Sequence, residues 1–130
     1  MTVRNYTELI VWQKAMALAE AVYQATESFP KEERYGLVAQ MRRAAVSIPS
    51  NIAEGEGRGE DGNMLHSLRI SYGSLRELET QMLLANRLRM LSNADSPPIF
   101  DQCDEVGRVL NGLMKTVRKR IETKRRRTDG

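Results

Sequence analysis

The chain has 130 residues, enough for one domain and too few for two ordinary ones. Apolar residues make up 41% and charged residues 28%, a globular composition, and no run approaches the roughly 18 apolar residues that a membrane span needs. The net charge of +3 conceals a strongly basic end, because residues 115–127 carry eight Lys or Arg against Glu122 alone.

The opening residues 1–6 lack the basic-then-apolar order of an export signal, so a cytoplasmic protein is expected. A first helix is predicted over residues 7–28, with Thr7 as N-cap. Leu9, Trp12, Ala15, Met16, Ala19, Val22 and Tyr23 recur there every three or four residues and form its buried face. Phe29-Pro30 ends it, because the residue before a proline is pushed out of the α region.

The second helix is expected to start near Lys31-Glu32-Glu33, whose acids suit the positive end of a helix. Leu37, Met41, Ala44, Ala45, Ile48 and Ile52 form its apolar stripe. Pro49 should kink or split it, with Ser47, Ser50 and Asn51 satisfying the freed backbone groups. The glycines from Gly55 to Gly62 read as a flexible turn. A third helix follows over residues 63–91, with Leu65, Leu68, Tyr72, Leu75, Leu78, Met82 and Ala85 inside and Gly73 marking a close helix approach. The fourth helix is expected over residues 97–123, opened by Ser96 as cap before Pro97. Its stripe is Cys103, Val106, Leu110, Leu113, Met114, Val117 and Ile121. Residues 124–130 are expected to be a disordered basic tail beyond a domain of residues 1–123. No segment alternates as a strand does. The expected fold is all-α, an antiparallel up-down-up-down four-helix bundle.

Four stretches carry a family resemblance: Leu9-Ile10-Val11-Trp12-Gln13-Lys14-Ala15-Met16, Phe29 to Leu37, Gln40 to Gly55, and Gly73-Ser74-Leu75-Arg76-Glu77-Leu78-Glu79-Thr80-Gln81. With these motifs the chain resembles the bacterial four-helix-bundle family of 23S rRNA intervening-sequence proteins over residues 6–114. The resemblance implies a ring-like homopentamer. Through a related group, the accessory proteins of diversity-generating retroelements, it also implies contact with nucleic acid and a reverse transcriptase.

Most of the central motif falls on a polar stripe of the second helix. Gln40, Arg43, Ser47, Asn51, Glu54 and Arg58 are spaced to share one face beside the core. The stripe reads as a hydrogen-bonded layer or subunit interface with Arg43 and Glu54 as buried partners; ligand contact and catalysis are the competing readings. Glu77 and Glu79 point about 200° apart and cannot work as an acid–base pair, so Glu77 is expected to meet Arg43 or Arg76. His66 is expected on the surface and Cys103 as a small buried hydrophobe, so no metal, cofactor or catalytic residue is expected.

The basic end is the candidate for nucleic-acid contact: Arg118, Lys119, Arg120, Lys124, Arg125, Arg126 and Arg127, with no aromatic among them. That composition suits phosphate neutralisation rather than base readout, and its alternative is a solvated helix end. Two functions stand open on the sequence. One is a non-enzymatic oligomeric module that binds RNA or DNA. The other is a scaffold or accessory subunit for a protein partner. Neither involves a membrane.

Overall fold

Every regular element among residues 5–129, the part of the chain that the computed structural model describes, is helical. The fold is all-α. The export reading of the first residues, and Gly130 of the expected tail, lie outside the described residues.

A short helix α1 (Asn5–Glu8) precedes α2 (Ile10–Thr26). The break between them is Leu9, whose backbone is extended at φ −69° and ψ 127°, so the long helix begins after the expected cap Thr7. A single 3₁₀ turn at Lys31–Glu33 leads into α3 (Leu37–Gly57). Glu33 serves that helix as an acid at its positive end: its Oε1 accepts the N–H of Leu37 at 3.2 Å. Pro49 does not split α3, which stays helical across it. Asn51 Nδ2 donates to the Ser47 carbonyl at 2.8 Å, and Ser71 Oγ reaches in from the next helix to the Ile48 carbonyl at 2.9 Å.

The glycine-rich run is mostly helix rather than loop. Only residues 58–60 turn, with Gly59 at φ 76°, before α4 (Asp61–Arg87) begins. Helix α4 ends four residues before the expected Leu91. Arg89 takes the left-handed conformation at φ 63°, and the Met90 N–H returns to the Ala85 carbonyl at 2.9 Å, a Schellman-type ending without glycine. Asn86 then fastens the loop through Nδ2 to the Leu91 carbonyl, Asn93 Oδ1 and Ser96 Oγ. Helix α5 (Ser96–Asp129) includes Ser96 and runs through the segment expected to be a disordered tail.

The four long helices enclose one core. α3 packs on α2 and α4, α4 on α5, and α5 returns to α2. Leu18, Met41, Ile48, Ile52, Leu68, Leu75, Leu78, Met82 and Leu110 are fully buried, each contributing roughly 1.5–3 kcal/mol of apolar burial. Along α3 and α4 the contacts run in opposite senses, from Ser47 on Ser74 to Gly55 on Met64 and Ser67. Gly55, not Gly73, marks the close approach. A Cβ at Gly55 would lie 2.6 Å from Ser67 Cβ, whereas one at Gly73 would meet nothing within 4 Å.

Candidate assembly face and cationic helix

Helix α2 carries two apolar stripes side by side. Val11, Ala15, Leu18, Ala19 and Val22 are buried, while Met16 and Tyr23, expected inside, are 37% and 42% exposed. Each helical residue advances about 100°, so Trp12, Met16 and Tyr23 sit a quarter-turn round from the core stripe. With Val46, Pro49 and Ala53 of α3 they line an apolar groove of about 590 Å³. The two stripes read as one in the sequence because both recur every three to four residues. Their separate phases, 11-15-18-22 and 12-16-23, are the signal that divides them.

Arg42, on the α2-facing side of α3 across from the polar stripe, closes one end of this face. Its guanidinium stacks 4.5 Å over Tyr23, and its Nε donates to Thr26 Oγ1 at 2.9 Å. Its second nitrogen donates to the Tyr23 carbonyl at 3.2 Å, one of the carbonyls that the end of α2 leaves open.

The polar stripe next to the groove is only partly knit. Ser47 and Asn51 are half-buried: Ser47 Oγ lies 2.8 Å from Ser74 Oγ, and Asn51 Nδ2 donates to Ser47 Oγ at 3.0 Å. Gln40, Arg43, Glu54 and Arg58 are exposed. Within one chain Arg43 and Glu54 are therefore not buried partners. Glu54 pairs at 2.7 Å with Arg58 one turn on, both more than half exposed, a geometry worth about 0.3–0.5 kcal/mol. Glu77 is exposed and forms no ion pair among the described residues; Arg76 pairs instead with Glu79 at 2.9 Å and stacks on Tyr72.

Beyond the stripe, α4 exposes Ile70, Leu84 and Leu88 on one face, with the exposed Glu77 midway between Ile70 and Leu84. Apolar surface thus flanks the polar stripe on both sides. Helix α5 differs: among the described residues it exposes no large hydrophobic side chain.

What α5 exposes is charge. Lys115, Arg118, Lys119, Arg120, Lys124, Arg125, Arg126 and Arg127 are all exposed on continuous helix. Two of them are held. Asp61 in the first turn of α4 accepts from Lys124 Nζ at 2.9 Å and from Arg120 Nε at 3.2 Å. The Lys124 hydrogen bond and the charge of Arg120 keep the Asp61 carboxyl below the usual carboxylate range. Further up the helix, Glu105 pairs with Lys14 of α2, which lowers its pKa in the same way. Val117 is fully buried, so α5 stays anchored to the core past its midpoint.

His66 is exposed, and no group of three or more His, Cys, Asp or Glu among the described residues is placed to hold a metal ion. Cys103 is buried with its Sγ 3.8 Å from Met82 Sδ, and burial pushes its thiol up to about 12. No helix among the described residues is long and apolar enough to cross a membrane.

Helices α2–α5 around one core, with a motif-rich face on α3, define an all-helical protein of a recognisable class. The chain belongs to the family described as 23S rRNA-intervening sequence protein, whose model matches residues 7–112. Among solved structures it is similar to a protein of unknown function from the S23 ribosomal protein family of Bacteroides thetaiotaomicron. That likeness has a TM-score of 0.74 at 20% identity over 82% of this chain and 96% of the other, and it concerns the fold. No match is found among curated proteins.

Proposed function

We propose that this protein is a non-enzymatic, self-assembling module that presents cationic helices to nucleic acid. Its long helices form an antiparallel up-down-up-down bundle, and its copies join through the α2–α4 face into the homopentamer that the family resemblance suggests. It acts in the cytoplasm. The observation that carries the reading is the division of the surface. Exposed Met16, Tyr23, Val46, Ile70, Leu84 and Leu88 lie on α2–α4, while α5 exposes cations and no large apolar side chain. Contiguous exposed apolar patches on a soluble chain mark interaction sites. The groove of α2 and α3 and the exposed apolar side chains of α4 are different surfaces, which suits head-to-tail contact and ring closure. Assembly would then gather several α5 ends and raise avidity without new contacts.

The groove's concavity also favours a second reading, in which a helix of a protein partner such as a reverse transcriptase fills it and α5 binds nothing.

A gel-shift series on single- and double-stranded RNA and DNA separates the two. The test variant replaces Arg118, Lys119, Arg125, Arg126 and Arg127 by Ala and leaves the Asp61-held pair in place. Binding should be sequence-tolerant and fall steeply with salt. The variant should lose affinity alike on all sequences, with a log–log salt slope shallower by up to about 0.7 per lost contact on single strands. Unchanged binding by the variant, or no binding by the wild type at low salt, would overturn the nucleic-acid role.

A further inference from the structure

Because the basic end is helical, its run of charges does not form one patch. Lys124, Arg125, Arg126 and Arg127 follow one another at about 100° steps, so they point in four directions round α5. Lys124 and Arg120 turn towards Asp61 and are engaged there. A different set lines up. Arg108, Lys115, Lys119 and Arg126 are spaced 7, 4 and 7, intervals that return to the same face of a helix. All four are exposed, and none forms an ion pair within 4 Å of another described residue, although the charge of Arg108 reaches Glu105 one turn away and helps to lower its carboxyl.

We infer that this line, from Arg108 to Arg126, is a phosphate-binding ridge for single-stranded nucleic acid, which adds Arg108 and Lys115 to the interface and makes Lys124 and Arg120 anchors. The inference rests on the nucleic-acid reading above. At 1.5 Å per residue the ridge is about 27 Å long and straight. A duplex turns once in about 34 Å, so either of its strands winds to the far side of the axis within most of that length. A single strand has no such constraint and can be drawn along all four cations. Close to Arg108 the groove between α4 and α5 offers a stacking platform. Arg76 lies 4.9 Å over the Tyr72 ring, and Tyr72, Arg76, Arg108 and Asn111 line the same cleft. An exposed base can stack on such a guanidinium plane. The carboxylates that oppose an anion here are Glu79, already paired with Arg76, Glu105, paired with Lys14, and the exposed Asp101, Asp104 and Glu122, of which Asp101 shares the ridge's line one interval before Arg108. They leave the ridge net positive towards its C-terminal end.

The experiment uses the full chain, a fluorescent oligo-dT of about 20 nucleotides, and a random duplex of equal length. Wild type should bind the single strand more tightly than the duplex. Arg108→Ala with Lys115→Ala should make the single-strand salt slope shallower by about 1.4, two contacts at about 0.7 each. Circular dichroism and light scattering on the double variant check that fold and assembly are kept; both residues are exposed. Duplex binding as tight as single-strand binding would overturn the ridge. So would a double variant with the wild-type slope. If the five-residue Ala variant loses binding while this double variant does not, the ridge fails and the broader reading stands. If wild type binds neither probe, both fail.

Discussion

Asp61 Oδ2 accepts a hydrogen bond from Lys124 Nζ at 2.9 Å, across 63 positions of sequence. The first turn of α4 thereby holds the far end of α5 against the body. Arg120 adds a second contact to the other carboxylate oxygen at 3.2 Å. The pairing ties a segment that reads as a tail to the body of the bundle.

The Asp61 contacts give the end of α5 a pH dependence. The folded pKa of Asp61 lies below its ordinary 3.8, so its stabilisation is complete above that value and is lost as pH falls through the folded one. NMR Cα shifts of residues 120–129 should stay helical from pH 7 to 5 and move towards coil below about 4. Asp61→Asn should loosen the same residues already at pH 7. Shifts that ignore both acid and the substitution would show that the ion pairs do not hold this end.

Arg42→Ala should destabilise the fold by about 1–3 kcal/mol in a urea melt, through loss of the Tyr23 stacking and of the bonds to Thr26 Oγ1 and the Tyr23 carbonyl. Arg43→Ala, one residue on and exposed, should stay within about 0.5 kcal/mol when measured on the monomer. Equal costs at the two positions would mean that the exposed arginine has a partner within the chain.

Two glycine substitutions should act in opposite directions. Gly55→Ala places a Cβ 2.6 Å from Ser67 Cβ and 3.2 Å from Met64 Sδ, so α3 and α4 must part, at a cost of about 1–3 kcal/mol. Gly73→Ala meets nothing and should gain close to the 1 kcal/mol that separates Gly from Ala in a helix. The same urea melts measure both.

Cys103 should be inert in the native protein. Its thiol is buried and pushed up to about 12, so almost no thiolate exists at pH 8. An aromatic disulfide reagent should label it only after denaturant is added. Prompt labelling of the folded chain would show that α4 and α5 open readily beside Met82.

The sequence made the helices legible where one stripe dominated. On α3 the expected Leu37, Met41, Ala44, Ala45, Ile48 and Ile52 are all buried, and on α5 Cys103 through Val117 largely follow the same rule. On α2 two apolar phases run together, so Met16 and Tyr23 read as core although they form a groove wall. The α3 stripe was legible as one face, but not its state. Exposure of Arg43 and Glu54 follows from where α4 sits, and spacing within one helix does not encode that. The end of α5 was hidden for a different reason. Its charges read as a solvated tail, while the carboxylate that meets it, Asp61, lies far away in sequence.

Light scattering at micromolar concentration tests the central claim most directly, that the α2–α4 face joins copies of this chain. The wild type should have about five times the 14.8 kDa chain mass. Val46→Asp with Leu84→Asp, at positions 42% and 47% exposed in the single chain, should fall to 14.8 kDa while remaining helical. A wild type that scatters as a single 14.8 kDa chain, or a double variant that keeps the larger mass, would contradict the account.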